Sequence, residues 1–219
     1  MDWLLLQLAD SAFPAGGFAH SGGLEAAWQL GEVGGSGGLM HFIGESLHQA
    51  GHSALPALSA GHASPDAIVD IDGVYDSFLS NHVANRASRM QGRAFLSTCV
   101  RSFPLPDLTE FQQGVGAQKL CQHYAPILGA VTRLLNINLF HAQELYLFTV
   151  LRGIVSTAVR LGVVGPYEGQ QIQFRAYPKL NEVLDACGEL PLDALAQTAP
   201  LVDLFQAAHD RLYSRLFHS

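Results

Sequence analysis

The longest apolar stretch of the chain is Leu139–Val164, LFHAQELYLFTVLRGIVSTAVRLGVV. A narrow polar stripe runs along it at helical spacing, formed by Thr149, Arg152, Ser156 and Arg160. Nearly all other positions are apolar, and a glycine followed by a proline ends the run at 165–166. We therefore predict a long, mostly buried helix at about 139–163, which forms the centre of a helical bundle.

The same apolar spacing of three and four residues recurs along the rest of the chain, whereas the alternation typical of strands never persists. The sequence therefore predicts an all-α fold, a single-domain helical bundle of about ten helices over residues 1–219. The predicted helices lie at about 2–11, 20–30, 39–60, 66–80, 82–102, 107–117, 121–135, 139–163, 166–186 and 192–213. The glycine-rich segment 31–38 is predicted to be a flexible connection.

Composition and charge exclude several classes of protein. The chain has 219 residues and a formal charge of -7, from 19 acidic and 12 basic residues, which argues against a nucleic-acid binder. Its three cysteines form no CxxC pair, so we expect a reducing compartment, the cytoplasm. We expect no membrane span, because charged residues interrupt the longest apolar stretch, and no signal peptide, because no basic residues precede the first apolar run.

One helix face carries residues of the types that bind metal ions. His41, Glu45, His48 and His52 are spaced four, three and four, so they share one side of the third predicted helix. Imidazoles at i and i+4 can chelate one zinc or nickel ion, but a solvated polar face explains the same spacing. A metal-binding helical protein that uses His41, His48 and His52 therefore remains an alternative, and no metal site is our first expectation.

A second alternative is an enzyme whose helical core encloses a cofactor pocket. The sequence contains no phosphate-binding GxxxxGK[ST] loop, no dinucleotide-binding GxGxxG after a strand and no HExxH metalloprotease motif. His20 and Ser21 are adjacent, which makes a hydrogen-bonded catalytic pair difficult to form. We therefore predict a protein that is not an enzyme and has no resident cofactor.

Three stretches have the composition of partner-binding surfaces. Arg86, Arg89 and Arg93 repeat at helical spacing, and guanidinium groups suit carboxylates or phosphates, although such groups also pair within a fold. The segment Phe13–Glu25, FPAGGFAHSGGLE, is predicted to be an irregular loop or a partner surface. The C-terminal tail, residues 210–219, is apolar and contains an arginine, so it either docks on its own bundle or orders on a partner.

Five motifs together resemble the UreF family of urease accessory proteins. They are LLLQLADSAFPAGGFAHSGGLE at Leu4–Glu25, NRASRMQGRAFL at Asn85–Leu96, HYAPILGAV at His123–Val131, VSTAVRLGVVGPYEGQ at Val155–Gln170 and HDRLYSRLFHS at His209–Ser219. They occur in the family's order, and the first and the last are the most specific.

The resemblance implies a non-enzymatic chaperone of urease maturation with an all-α fold, which forms a homodimer. It implies binding to the accessory protein UreD, called UreH in some organisms, and recruitment of the nickel-carrying GTPase UreG. The assembly then inserts nickel into apo-urease in a GTP-dependent step. In this family the C-terminal tail becomes ordered when UreD/UreH binds.

The resemblance also implies roles for single residues. Arg215 matches the arginine of the family's YSRL-type motif, which supports the surface that recruits UreG. Phe18 occupies an aromatic position that is often tyrosine in the family, and Glu25 matches a carboxylate that helps to couple the complex to the GTPase. The candidate partner-binding residues from all arguments are Phe18, His20, Glu25, Arg89, Arg93, Tyr213, Arg215, Leu216 and Phe217.

Overall fold

A computed structural model of the chain describes residues 3–218. The all-α prediction is confirmed, and the described residues form helices and connecting turns without a strand. The α-helices are α1 (Trp3–Ala9), α2 (Leu24–Gln29), α3 (Gly35–Ala63), α4 (Ile68–Phe78), α5 (His82–Ser102), α6 (Pro106–Ala117), α7 (Tyr124–Leu134), α8 (Leu139–Arg160), α9 (Pro166–Cys187) and α10 (Pro200–Ala208). Two predicted ends, residue 2 of the first helix and residue 219 of the tail, lie outside the described residues.

The centre of the bundle is α3, not α8 as the sequence predicts. Helix α3 packs against α7, α8 and α9, and 15 of its 29 residues are buried. Helix α8 buries nine of its 22 residues, and its Phe140 side chain is exposed. The prediction was wrong because a high content of apolar side chains shows only that a helix contacts the core. The helix at the centre is instead rich in small residues, which let the neighbouring helices pack closely against it.

Glycines create the closest contact between helices, that of α3 with α7. A Cβ atom added at Gly129 of α7 would overlap the carbonyl oxygen of Leu58 in α3. In the same contact, a Cβ at Gly61 of α3 would overlap the carbonyl oxygen of Pro126 in α7. Nine of the 11 residues of α7 are buried as a result. Two backbones therefore lie against each other where larger side chains would hold them apart.

Several predicted helix boundaries differ from the structure. The last predicted helix, 192–213, consists of a 3₁₀ turn at Leu192–Ala194, an irregular segment, α10 and a second 3₁₀ turn at His209–Arg211. Pro200 occupies the first turn of α10, where its fixed φ and missing N–H favour a helix start. Glycines at 22 and 23 have φ of 61° and 90°, so α2 begins only at Leu24. The predicted flexible connection ends early, because α3 begins at Gly35.

The packing of the outer helices brings the tail next to the N-terminal loop. Helix α10 packs against α2 and α5, and α2 packs against α8. The side chain of Gln206 on α10 donates a hydrogen bond to the carbonyl oxygen of Gly22 at 3.3 Å. The N-terminal loop 10–23 and the tail therefore lie on the same side of the bundle. None of the helices between residues 3 and 218 combines the length and apolarity that a bilayer crossing requires.

The close contact between α3 and α7 predicts opposite effects for two glycine substitutions. Gly129→Ala should lower the free energy of unfolding by about 2 kcal/mol or more, because the new methyl group overlaps a backbone oxygen. Gly153→Ala, in α8, meets no atom within 4 Å and should raise it by about 0.5–1 kcal/mol through helix propensity. Urea unfolding of both variants measures the difference, and equal effects would contradict this account of the contact.

Candidate functional site

The tail lies folded back on the N-terminal loop. The backbone N–H of His218 donates a hydrogen bond to the carbonyl oxygen of Ala19 at 2.8 Å, and Gln29 of α2 donates to the carbonyl oxygen of Ser214 at 3.0 Å. The ring of Phe217 is buried, with 5% of its surface exposed. Of the two outcomes left open for the tail by the sequence, docking on its own bundle is the one in this structure.

A buried carboxylate holds the tail in place. Glu25 lies in the first turn of α2 with 1% of its surface exposed. Its Oε1 accepts the backbone N–H of Leu216 at 2.6 Å, and its Oε2 accepts that of Phe217 at 3.3 Å. Oε2 also lies 3.1 Å from Nε2 of the fully buried His209. We call this group, Glu25 with His209 and the backbone of Leu216 and Phe217, the carboxylate clasp.

An arginine from the bundle fixes the aromatic side chains beside the clasp. The guanidinium carbon of Arg160, at the end of α8, lies 4.1 Å from the ring centroid of Phe18 and 4.2 Å from that of Phe217. Its NH1 also donates a hydrogen bond to the carbonyl oxygen of Phe18 at 2.9 Å. Arg160 therefore joins the N-terminal loop to the tail through two cation–π contacts.

A cluster of charges on the outer side of the tail contains Arg215. The carboxylate of Asp210 lies 3.5 Å from NH1 of Arg215, 2.9 Å from NH2 of Arg86 and 3.3 Å from Nε2 of His82. The hydrogen bond from Arg86 is the main cause that holds the pKa of Asp210 below its ordinary value. Because one carboxylate is shared by several cations and the side chain of Arg215 is 44% exposed, Arg215 keeps donors free for another acceptor.

His20 lies close to the tail and is neutral at neutral pH. Burial, together with charge repulsion from His218, His209 and Arg86, lowers the pKa of His20 to about 4. The imidazole therefore belongs to a region that already carries several basic groups. Its environment favours the uncharged ring, which avoids a further positive charge beside the tail.

The side chains that the sequence predicts as partner-binding fall into four groups. Phe18 and the tail residues Tyr213, Arg215 and Leu216 are exposed, whereas Glu25 and Phe217 are buried between the tail and the bundle. His20 is half-buried next to them. Arg93 is exposed on α5, and Arg89 binds elsewhere, to Asp76 of α4. The structure thus brings seven of the nine predicted residues to one side of the bundle.

A second polar cluster surrounds Asp76. Its Oδ1 accepts hydrogen bonds from Asn85 at 2.9 Å, from Nε2 of His123 at 2.9 Å and from Arg89. Burial alone would raise the pKa of Asp76, but these three donors outweigh it, so the pKa lies well below the ordinary value. Cys121 completes the cluster, and its sulfur lies with ligand atoms of Asp76 and His123 within 4.8 Å of one another.

The predicted histidine face of α3 does not converge on one point. The His48 and His52 rings lie 4.4 Å apart between centroids, but Nδ1 of His48 is 3.0 Å from the hydroxyl of Thr198. Nδ1 of His52 is 3.1 Å from the carbonyl oxygen of His48, and His41 is exposed. Among residues 3–218, the group of ligand atoms that converges is that of Asp76, Cys121 and His123. Metal binding by the histidine face is therefore not supported by the geometry.

Sequence reasoning missed two residues that build the site. The sequence predicts Arg160 only as part of the polar stripe of the helix at 139–163. Its position at the end of that helix, before Gly162, was a signal that its side chain can reach a neighbouring loop. His209 precedes the tail, and nothing in its sequence context distinguishes it from a surface histidine. Its role becomes visible only when Glu25, 184 residues away, is placed beside it.

The fold and the site together define an all-helical protein whose most developed site binds a peptide segment, here its own tail. The sequence matches the UreF family model over residues 33–177. Urease accessory protein F of Arabidopsis thaliana is 36% identical over 223 residues, which cover all of this chain and 93% of that protein. The chain belongs to the UreF family.

Other relatives agree over nearly the whole chain. Urease accessory protein F of Oryza sativa subsp. indica is 33% identical over 219 residues, covering 98% of this chain and 84% of the rice protein. Urease accessory protein UreF of Bacillus sp. strain TB-90 is 30% identical over 223 residues, covering 98% of this chain and 97% of that protein. The similarity therefore includes both the N-terminal loop and the tail.

The lowered pKa of His20 predicts a loss of stability in acid. Between pH 6.5 and about 4, His20 binds a proton in the unfolded chain but stays neutral in the folded chain. Protonation therefore favours the unfolded chain, and the free energy of unfolding decreases as the pH falls through this range. His20→Asn should therefore retain about 2 kcal/mol more of its unfolding free energy than the parent chain between pH 7 and pH 4.5. Urea unfolding across this range is the measurement. His41→Asn, an exposed control on α3, should follow the parent curve, and identical curves for all three proteins would contradict the assignment.

Proposed function

We propose that this chain is a non-catalytic accessory protein of urease maturation that acts in the cytoplasm. It binds UreD/UreH, recruits the GTPase UreG and so supports GTP-dependent nickel insertion into apo-urease. Family membership and the names of the relatives support the role in urease maturation. The observation that carries the proposal is the tail, which is docked through a buried carboxylate and presents exposed tail residues next to Phe18.

The outward face of the docked tail has the composition of a protein interface. Tyr213 is fully exposed, Leu216 is 55% exposed and Phe18 is 65% exposed. Large apolar side chains in such a group are expensive in water and are enriched, with arginine, in the energetic centres of interfaces. Arg215 lies among them with donors available. We assign this face, Phe18, Tyr213, Arg215 and Leu216, to partner binding and call it the tail face.

Glu25 and Phe217 act on partners through the tail. Both are buried, so neither side chain touches a partner while the tail is docked. Glu25 fixes the backbone of Leu216 and Phe217, which sets the position of the tail face. A residue that positions the surface in this way couples events on α2 to events on the tail, which fits the coupling role that the family resemblance implies for this carboxylate.

The docked state is held by strong contacts but is not fully satisfied. The hydroxyl of Ser21 and Nδ1 of His209 are buried and have no hydrogen-bond partner within residues 3–218. A buried polar atom without a partner costs about 1–3 kcal/mol. The cost of these two unpaired atoms therefore offsets part of the energy by which the hydrogen bonds of the carboxylate clasp stabilise the docked tail.

We also propose a homodimer, which uses a different part of the surface. An apolar groove between α1, α8 and α9 is lined by Leu5, Leu6, Phe148 and Tyr177, among others. The same three helices carry further exposed aromatic side chains, Trp3 on α1, Phe140 on α8 and Phe174 on α9. Exposed apolar groups of this number are characteristic of surfaces that are covered in an assembly. A second copy of the chain is the occupant that we propose for this groove.

Removal of Arg215 should weaken UreG recruitment without a change in folding. The ion pair with Asp210 is exposed and 3.5 Å long, so its loss should change the unfolding free energy by less than about 1 kcal/mol. We expect Arg215→Ala to reduce UreG capture by the purified complex with UreD/UreH at least about tenfold, as expected for a central interface arginine. Arg133→Ala removes an exposed arginine at the end of α7 and should leave capture unchanged. Undiminished capture by Arg215→Ala would reject the role of this residue.

Replacement of the clasp carboxylate should release the tail. Glu25→Gln keeps the shape of the side chain but loses charge-assisted bonds that are worth about 1.5–3 kcal/mol each. We expect amide hydrogen exchange at residues 212–218 to accelerate at least about tenfold, while exchange in α3 and α7 stays slow. UreD/UreH capture should fall in parallel. Glu32→Gln, a control outside the clasp just after α2, should change neither measurement. Tail exchange as slow as in the parent chain would show that the carboxylate does not hold the tail.

A further inference from the structure

The polar cluster around Asp76 brings together three different metal-binding side chains. Asp76 comes from α4, and Cys121 and His123 come from the loop at 118–123 between α6 and α7. One carboxylate oxygen, the cysteine sulfur and one imidazole nitrogen lie within 4.8 Å of one another. Ligands of a single tetrahedral ion are separated by comparable distances, since each lies about 2.0–2.3 Å from the metal.

The loop that carries two of these side chains is held rigidly. Lys119 and Gln122, on either side of Cys121, have φ of 53° and 65°, which is an unfavourable conformation for residues other than glycine. The carboxylate of Asp72 compensates by accepting the backbone N–H groups of Gln122 at 3.0 Å and His123 at 2.8 Å. The position of Cys121 and His123 is therefore fixed by the bundle before any ligand binds.

The imidazole of His123 is oriented in the manner of a metal ligand. Its Nδ1 lies 3.1 Å from the hydroxyl of Ser88, and that hydroxyl also accepts the backbone N–H of Tyr124 at 3.1 Å. Nε2 points toward Asp76, at 2.9 Å from its Oδ1. A hydroxyl can either donate to Nδ1 or accept from it, so Ser88 supports the tautomer in which Nε2–H donates to Asp76 and equally the one in which Nε2 has a free lone pair for a metal ion. One ring nitrogen is thus anchored and the other faces the cluster.

We propose that Asp76, Cys121 and His123 bind one borderline-soft divalent cation, Zn²⁺ or Ni²⁺. A thiolate, an imidazole and a carboxylate form a donor set that suits these ions and does not suit Mg²⁺ or Ca²⁺. The side chain of Asp76 is 30% exposed and Cys121 is half-buried, so the ion can enter from solvent and keep a water or exchangeable ligand in its fourth position. The site is independent of the tail and of the histidine face of α3.

Arg89 binds the same carboxylate oxygen that the metal ion would use. Its guanidinium binds Oδ1 of Asp76, the same oxygen that accepts the hydrogen bond from His123. A metal ion at this point has to displace the guanidinium, which lies 35% exposed and can swing toward solvent. Because the two cations compete for one carboxylate, Arg89 weakens metal binding and makes it reversible.

The test is metal binding by the purified full chain. Equilibrium dialysis against Zn²⁺ and, in a separate arm, Ni²⁺ should show one bound ion per chain, and Co²⁺ should give a thiolate-to-cobalt charge-transfer band. Cys121→Ser should weaken binding at least about 100-fold, because loss of a direct ligand exceeds the 10–100-fold effect of losing a supporting contact. The same variant should lose the cobalt band. The two dialysis arms show which of the two ions the site prefers.

Three further variants separate this site from its competitors. Cys187→Ala removes a thiol that lies 3.4 Å from Nδ1 of His52, and it should keep both the stoichiometry and the cobalt band. His48→Ala should do the same. Arg89→Gln should tighten binding at least about tenfold, since it removes the competing cation. Circular dichroism confirms that each variant is folded.

Two results would overturn the proposal. One is stoichiometric binding that survives Cys121→Ser but is lost in His48→Ala or Cys187→Ala, which would place the ion at α3. The other is the absence of stoichiometric binding of Zn²⁺ and Ni²⁺ in both the parent chain and Arg89→Gln. In the latter variant the carboxylate no longer has a guanidinium partner, so a true site has no reason to stay empty.

Discussion

The backbone contact between α3 and α7 sets the positions of the helices around it. Gly129 lies against the carbonyl oxygen of Leu58 and Gly61 against that of Pro126, so the separation of the two helices is set by backbone atoms and not by deformable side chains. Helix α3 then contacts α8 and α9 on its other sides, and α7 contacts α5. The end of α8, where Arg160 lies, and the start of α7, next to His123, inherit their positions from this contact. Both polar sites are therefore built on the rigid part of the molecule.

The fold class could be predicted from periodicity, because amphipathic spacing of three and four residues depends on neighbours within one helix. The identity of the central helix could not be predicted in this way. Gly51, Gly61 and Gly129 contribute because they have no side chain, which leaves room for a neighbouring helix, and glycine has a low helix propensity. The break in the last predicted helix shows the same limit. Leu201, Leu204 and Phe205 give a clean stripe, but α10 ends at Ala208 and a 3₁₀ turn follows at His209–Arg211, in which His209 contacts Glu25.

The candidate site was partly predictable, because some of its residues stand out by composition alone. Exposed aromatic and arginine residues in the tail are unusual in sequence, so Tyr213, Arg215 and Leu216 could be selected without a structure. Family resemblance added Phe18 and Glu25. What sequence could not supply was the direction of each side chain: Glu25 and Phe217 point inward, and Arg160 stands between two rings from opposite ends of the chain. The cluster of Asp76, Cys121 and His123 was missed altogether, since its three residues come from segments that no local pattern links.

The two polar sites use carboxylates in opposite ways. Asp76, which is partly exposed, is neutralised by Arg89, Asn85 and His123, none of which belongs to the tail, so its charge is compensated whether or not the tail is docked. Two of the three donors to Glu25 are backbone N–H groups of the tail, which a partner can pull away. A buried carboxylate that loses its donors costs several kcal/mol. A partner that displaces the tail must therefore replace these two N–H groups or admit water to Glu25. A partner that binds the docked tail bears no such cost. On energetic grounds the second route is favoured, so a partner protein should bind this surface with Leu216 and Phe217 still held by Glu25.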